Sequence, residues 1–130
     1  MNNNSEAIFK IHSLDHIVLK TVNKTAILHF YCDVLGCSIE REKPHLRLTQ
    51  LRAGEQLIDI LEVDEKPTSQ NLDHFCLRIS VFDYETLKAY FQKHNVSVYG
   101  YDQRHSSQGL GWSCYLKDPE GNQVELIEKI

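Results

Sequence analysis

Two histidines and two carboxylates in this chain recur at matching places, and together they have the donor chemistry of a divalent-cation site. "LDHIVLK" (residues 14–20) and "LDHFCLR" (72–78) set His16 and His74 at the same point of two nearly identical stretches. Downstream of each, a strand-like run carries one carboxylate: Asp59 alternates with Leu57 and Leu61, and Glu125 alternates with Gln123 and Ile127. A carboxylate among strand hydrophobics needs a partner, because burying an unpaired charge is costly. Imidazole nitrogen with carboxylate oxygen suits Ni²⁺, Zn²⁺, Mn²⁺, Fe²⁺ or Co²⁺. Each residue alone has an ordinary explanation: a hydrogen-bonded strand histidine, a salt bridge at Asp59, an exposed strand end at Glu125. The same His-to-carboxylate pattern written twice favours the metal.

The elements that must position these groups can be read from alternation and turn residues. On a strand, His16 shares its face with Val18 and Lys20, while Ile17 and Leu19 point the other way, toward the helix that follows. His74 likewise shares its face with Cys76 and Arg78. That helix is expected in "NKTAILHFYCDVLG" (23–36), ending at Gly36, and strands in "CSIEREK", "HLRLTQL" and "QLIDILEV". After the polar linker "DEKPTSQN" the order repeats: strand 72–80, a helix in "DYETLKAYFQKHN" opened by Asp83, and strands "VSVYGYD", "GWSCYLKD" and "NQVELIEKI". "KDPEGN" reads as a turn, with Pro119 presetting φ and Gly121 free to take positive φ.

Each half is therefore β-α-β-β-β, an α+β arrangement of two modules, 14–63 and 72–130, within a single domain spanning 1–130 and a disordered tail at 1–10. Modules of that size are marginal alone, which argues for one domain. The stretch "DQRHSSQGLG" (102–111) reads as a mobile connection, or a lid carrying Arg104 and His105. Tyr99, Tyr101, Trp112 and Tyr115 read mostly as packing residues, one or two of them lining a pocket.

Composition narrows the function classes. A formal net charge of −4, with no Lys/Arg run, gives no electrostatic reason to expect nucleic acid or an anionic membrane surface as a partner. No stretch approaches the roughly 18 apolar residues of a membrane span, and the N-terminus lacks a secretory pattern, so a cytoplasmic protein with four free thiols is expected. Small molecules and protein partners remain.

The motifs "LDHIVL", "FYCDVLGC", "LDHFCLRI" and above all "YLKDPEGNQVELIE" resemble those of the vicinal oxygen chelate superfamily, which includes glyoxalase I, bleomycin resistance proteins and extradiol dioxygenases. The resemblance, running from about Leu14 to Ile130, implies a cupped mixed sheet built from paired modules around a divalent metal. By position it implies ligands at His16, His74 and Glu125, with Asp59 standing where glyoxalase I-like members have a fourth, longer glutamate. It implies Glu125 as the catalytic base of a lyase or isomerase. Lys20 and Arg78, which strand alternation puts on the faces of His16 and His74, read either as substrate-binding groups at the cup mouth that hold a carboxylate or phosphate, or as strand-end charges in water. The resemblance also implies a homodimer. Val63 stands where a glutathione-binding asparagine is expected. Two alternatives share this fold: an Fe(II) extradiol-type dioxygenase using His16, His74 and Glu125, and a non-catalytic antibiotic-binding resistance protein, which would not need those three residues.

Overall fold

The computed structural model describes residues 11–70 and 72–130; the tail expected to be disordered, 1–10, lies outside the described residues. Two four-stranded mixed sheets account for most of the chain. The first contains β1 (His16–Thr21), β2 (Ser38–Lys43), β3 (Leu48–Ala53) and β4 (Gln56–Glu62), in the order β1-β4-β3-β2. The second contains β5 (His74–Ile79), β6 (Tyr99–Ser106), β7 (Gly109–Lys117) and β8 (Gln123–Glu128), in the order β5-β8-β7-β6. In each sheet the first strand pairs parallel with the last and the other pairs are antiparallel. Both halves thus have the β-α-β-β-β order read from the repeat.

Parallel pairing of first and last strands requires a crossover, and a helix supplies it in each half. In the first, Asn23 caps α1 (Lys24–Leu28) by accepting from the Ala26 N–H at 3.0 Å. The helix expected through residue 36 changes character at His29: residues His29–Val34 are π-helical, with the Leu35 N–H bonded to the Phe30 carbonyl at 2.9 Å. The wider turn keeps the adjacent rings of Phe30 and Tyr31 both in the core. Asp83 caps α2 (Tyr84–Lys93) by accepting from the Thr86 N–H, as its sequence position suggested.

Three boundaries differ from the alternation pattern. Pro44–Leu46 forms a short 3-10 turn that ends at Arg47 with φ of 55°, so β3 starts only at Leu48. Val96 and Val98 pack against the core ahead of β6, and Gly100 takes positive φ at the irregularity between Tyr99 and Asp102. The stretch 102–111 is not the irregular connection its composition suggested. It forms the end of the β6–β7 hairpin, in register from Asp102↔Ser113 to Ser106↔Gly109, with backbone pairing along its length despite its polar composition.

The core lies on one face of each sheet and is continuous across both modules. Leu19, Ile58 and Ile60 of the first sheet and Cys114, Leu116, Val124 and Leu126 of the second surround Ile27, Phe30, Tyr31 and Val34 of the first helical segment. Tyr90 of α2 donates to the Val34 carbonyl at 2.7 Å. The "KDPEGN" turn is more than a reversal. Buried Asp118 accepts from Tyr31 Oη at 2.7 Å, from the N–H groups of Glu120 and Asn122, and from Asn122 Nδ2, while Glu120 accepts from the Val22 N–H. The second module's last turn is thereby tied to the first module's helical segment and to Val22, the residue that follows β1. All four cysteines are free thiols, and no helix among the described residues is long and apolar enough to cross a membrane.

Candidate metal centre

With Ile17, Leu19 and Thr21 directed to the core, strand alternation leaves His16, Val18 and Lys20 on the opposite face of the first sheet. Val18 stands opposite Asp59 in register, so the histidine and the carboxylate occupy neighbouring strands two residues apart. The second sheet repeats the offset: Cys76 stands opposite Glu125, two residues beyond His74. His16 Nε2 lies 3.9 Å from Asp59 Oδ2, and His74 Nε2 lies 3.2 Å from Glu125 Oε1. The shorter aspartate side chain leaves the wider gap.

Both carboxylates are nearly buried, Asp59 at 3% and Glu125 at 7% exposure, whereas both histidines keep an open edge. Asp59 Oδ2 accepts from Gln50 Nε2 at 3.3 Å, and Gln50 is its register partner on β3. Asp59 Oδ1 is buried and has no hydrogen-bond partner among the described residues. A buried carboxylate oxygen without a partner calls for a cation or a proton donor.

The other ring nitrogens are occupied in the same way in both copies. His16 Nδ1 pairs with Asp15 Oδ2 at 2.9 Å, and His74 Nδ1 pairs with Asp73 Oδ2 at 2.7 Å. A carboxylate holding Nδ1–H fixes the tautomer whose Nε2 lone pair is free to bind a metal, and it raises the basicity of that nitrogen. The Asp15 hydrogen bond raises the His16 pKa above its ordinary value, opposed by desolvation and aided by the charge of Asp59. The donor set and the unpartnered Asp59 oxygen therefore fit a divalent ion. Asp15 and Asp73 were missed as functional residues in the sequence, although "LDH" is written twice.

The four expected ligands come together as two pairs, His16 with Asp59 and His74 with Glu125. Among the described residues of one chain, no group of three or more His, Cys, Asp or Glu side chains is placed to hold an ion. Arg78 lines a cavity of about 650 Å³ together with His74, Cys76, Glu125 and His105. Lys20 lines a separate cavity of about 410 Å³ beside the linker residues Lys66–Gln70. Burial, with the charge of Glu125 adding, pushes the Cys76 thiol up to about 12, so it stays neutral near pH 7.

Tyr115, the register partner of Glu125 on β7, sets its ring edge-on to His74 at 5.7 Å. It is held in turn by Arg104, whose guanidinium lies 4.6 Å above the ring and donates to Ser113 Oγ. Tyr99 flanks the same group, stacked on Tyr115 and bonded to Gln123 Oε1. Tyr101 instead stacks between Tyr84 and Trp112, at 4.0 and 4.7 Å. Arg104, expected on a loop or lid, thus sits on a paired strand against Tyr115 and Ser113.

Residues 13–126 match the family model described as the glyoxalase/bleomycin resistance protein/dioxygenase superfamily. A protein from the mobile metagenome of V. Pseudocholerae shares 26% identity and a TM-score of 0.77 over 95% of this chain and 99% of its own. An integron cassette protein from that of V. Cholerae shares 24% identity and a TM-score of 0.76, over 95% of this chain and all of its own. Lactoylglutathione lyase from Agrobacterium tumefaciens has the same fold at 22% identity and a TM-score of 0.65, over 89% of this chain and 92% of its own. No curated protein matches the chain significantly.

Proposed function

The chain belongs to the glyoxalase/bleomycin resistance protein/dioxygenase superfamily, and from that premise we propose that it is a metal-dependent lyase or isomerase of the glyoxalase type acting on a small oxygenated substrate. The observation that carries this reading is the twofold Asp–His–carboxylate arrangement, with both Nε2 atoms directed at a nearly buried carboxylate. His16, Asp59, His74 and Glu125 would hold one divalent ion: Ni, Zn, Mn, Fe or Co. Since the two pairs stand on separate sheets, we take the donors of each centre from two copies of the chain. Each site of the homodimer would then join the first module of one copy to the second module of the other.

An ion held by these residues would supply Lewis acidity toward an oxygenated substrate. Glu125 is the base: its carboxylate takes the proton from the carbon beside a carbonyl and returns it to the adjacent carbon. His74, 3.2 Å away, and Tyr115, the register partner of Glu125 on β7, flank that nearly buried carboxylate. Reloaded with Ni²⁺ or Zn²⁺, the protein is expected to turn over α-oxoaldehyde thiohemiacetals, and Glu125→Ala to lose that turnover, as followed by product absorbance.

The 3.9 Å separation at Asp59 favours one runner-up, a site of two histidines and Glu125 only, suited to Fe²⁺ and ring-cleaving oxygenation. Inertness toward every thiol adduct, with O₂ uptake on catechols by the Fe²⁺-loaded protein, would put that reading first.

Asp15 and Asp73 give a further expectation. Asp73→Asn, and likewise Asp15→Asn, should weaken metal binding by roughly 10- to 100-fold with little change in thermal unfolding of the metal-free protein. A competition titration with a chromophoric chelator measures this. Unchanged affinity in both variants would reduce the two aspartates to surface groups.

A further inference from the structure

We propose that the cavity beside His74 and Glu125 takes its substrate as a carboxylate anion, held by Arg78 at the opposite end from the reacting groups. The proposal rests on the reading of His74 and Glu125 as the reacting end. Arg78 is half-buried and lines that cavity. Its Nη1 donates to the Glu128 carbonyl at 2.8 Å and its Nη2 to Ser106 Oγ at 3.1 Å. Both acceptors are neutral. The Glu128 side chain is engaged elsewhere, with its Oε2 2.6 Å from the Trp112 N–H. No carboxylate among the described residues pairs with Arg78, whereas the cavity's other arginine, Arg52, pairs with Glu40 at 3.2 Å.

A guanidinium has five N–H donors, so two bonds to neutral oxygens orient its plane while leaving donors and the full charge available. Ser106, Ser107 and His105 add hydroxyl and imidazole groups to the same lining, and Ile79 and Ile127, the register partner of Arg78, add apolar surface for a carbon chain. One uncompensated positive charge matches one negative charge on a ligand. A carboxylate can lie in the guanidinium plane and accept paired N–H bonds.

The spacing sets the ligand's length. His74 and Arg78 share a face of β5 four residues apart, which puts their Cα atoms roughly 13 Å from each other at about 3.3 Å per residue. The long arginine side chain shortens the span to be bridged. The expected substrate is therefore a small acid of several carbons, with two adjacent oxygens at one end and a free carboxylate at the other.

Monohydroxamates of linear dicarboxylic acids have this shape: a chelating oxygen pair, a chain, and a carboxylate. Calorimetric titration of the metal-reconstituted full-length protein is expected to show the six- or eight-carbon acid binding at least about tenfold tighter than its methyl ester. In Arg78→Gln that advantage should vanish while acetohydroxamate binds as before. Equal affinity of acid and ester in the unsubstituted protein, or an advantage that survives in Arg78→Gln, would overturn the proposal. Should Arg78→Gln fail to fold, the acid-to-ester ratio of the unsubstituted protein and its fall on Arg78→Lys decide the matter. Hexanoate, which has no chelating end, separates the two readings. If acetohydroxamate fails to bind but hexanoate binds and is lost in Arg78→Gln, the metal assignment fails and the anion site stands; hexanoate that binds neither protein, together with no acid-to-ester difference, removes the anion site.

Discussion

Replacing His74 with alanine is expected to lower the affinity for a divalent ion by more than the roughly 10- to 100-fold that loss of an outer-shell partner costs, and His16→Ala should do the same. The two effects should be similar because the two modules present their histidines alike. Each ring is anchored at Nδ1 by the preceding aspartate, and each Nε2 faces a nearly buried carboxylate. Removing either ring takes one nitrogen ligand from the centre and leaves the carboxylate of that module to hold the ion without it. Both histidines keep an exposed edge, so neither loss opens a cavity in the core. Thermal unfolding of the metal-free variants should thus stay close to that of the parent. Metal titration by equilibrium dialysis gives the affinity, and unchanged binding in both variants would remove these residues from the ligand set.

The second large effect falls on stability. Asp118→Ala is expected to cost about 3–5 kcal/mol, because it strands a set of donors that converge on one buried carboxylate. Tyr31 Oη is the most serious of these, since its ring is fully buried and has no route to water. A loss of that size is a large part of the 5–15 kcal/mol that holds a typical domain folded. Asp118→Asn retains one acceptor oxygen and should cost less. Urea unfolding followed by far-ultraviolet circular dichroism measures both. The loss should appear in one cooperative transition, since the turn joins the second module to the helix of the first. A cost under about 1 kcal/mol, or two separate transitions, would show the modules to be less dependent on each other than their common core implies.

The arrangement of the two halves was legible because the chain states it twice. Period-2 alternation placed His16 and His74 opposite the core, and a lone carboxylate in each closing strand marked where a partner was needed. The same rule hid Asp15 and Asp73. Taken as strand residues they alternate away from the histidines, yet β1 and β5 begin at His16 and His74, so the aspartates precede the strands and are free to turn back to Nδ1. Composition misled at 102–111, where Gly, Ser and Gln suggest a loop; the pairing of β6 with β7 overrides that tendency and fixes Arg104 against Tyr115. The change to π-helical winding at His29 leaves no mark in apolar spacing, because Ile27, Phe30, Tyr31 and Val34 satisfy either winding on the buried side. Nor can spacing along one chain tell whether the two half-sites meet within it or across a pair of chains.

Complementation between two inactive variants tests that last point and the ligand set together. His16→Ala and His74→Ala chains, each unable to hold metal, would be unfolded, mixed in equal amounts and refolded, and the metal per chain measured by elemental analysis. If each centre joins the first module of one copy to the second module of another, half the dimers are mixed and carry one intact site. About one site in four should then regain metal. No regained metal in the mixture, with the parent protein binding about one ion per chain under the same treatment, would contradict a centre shared between copies.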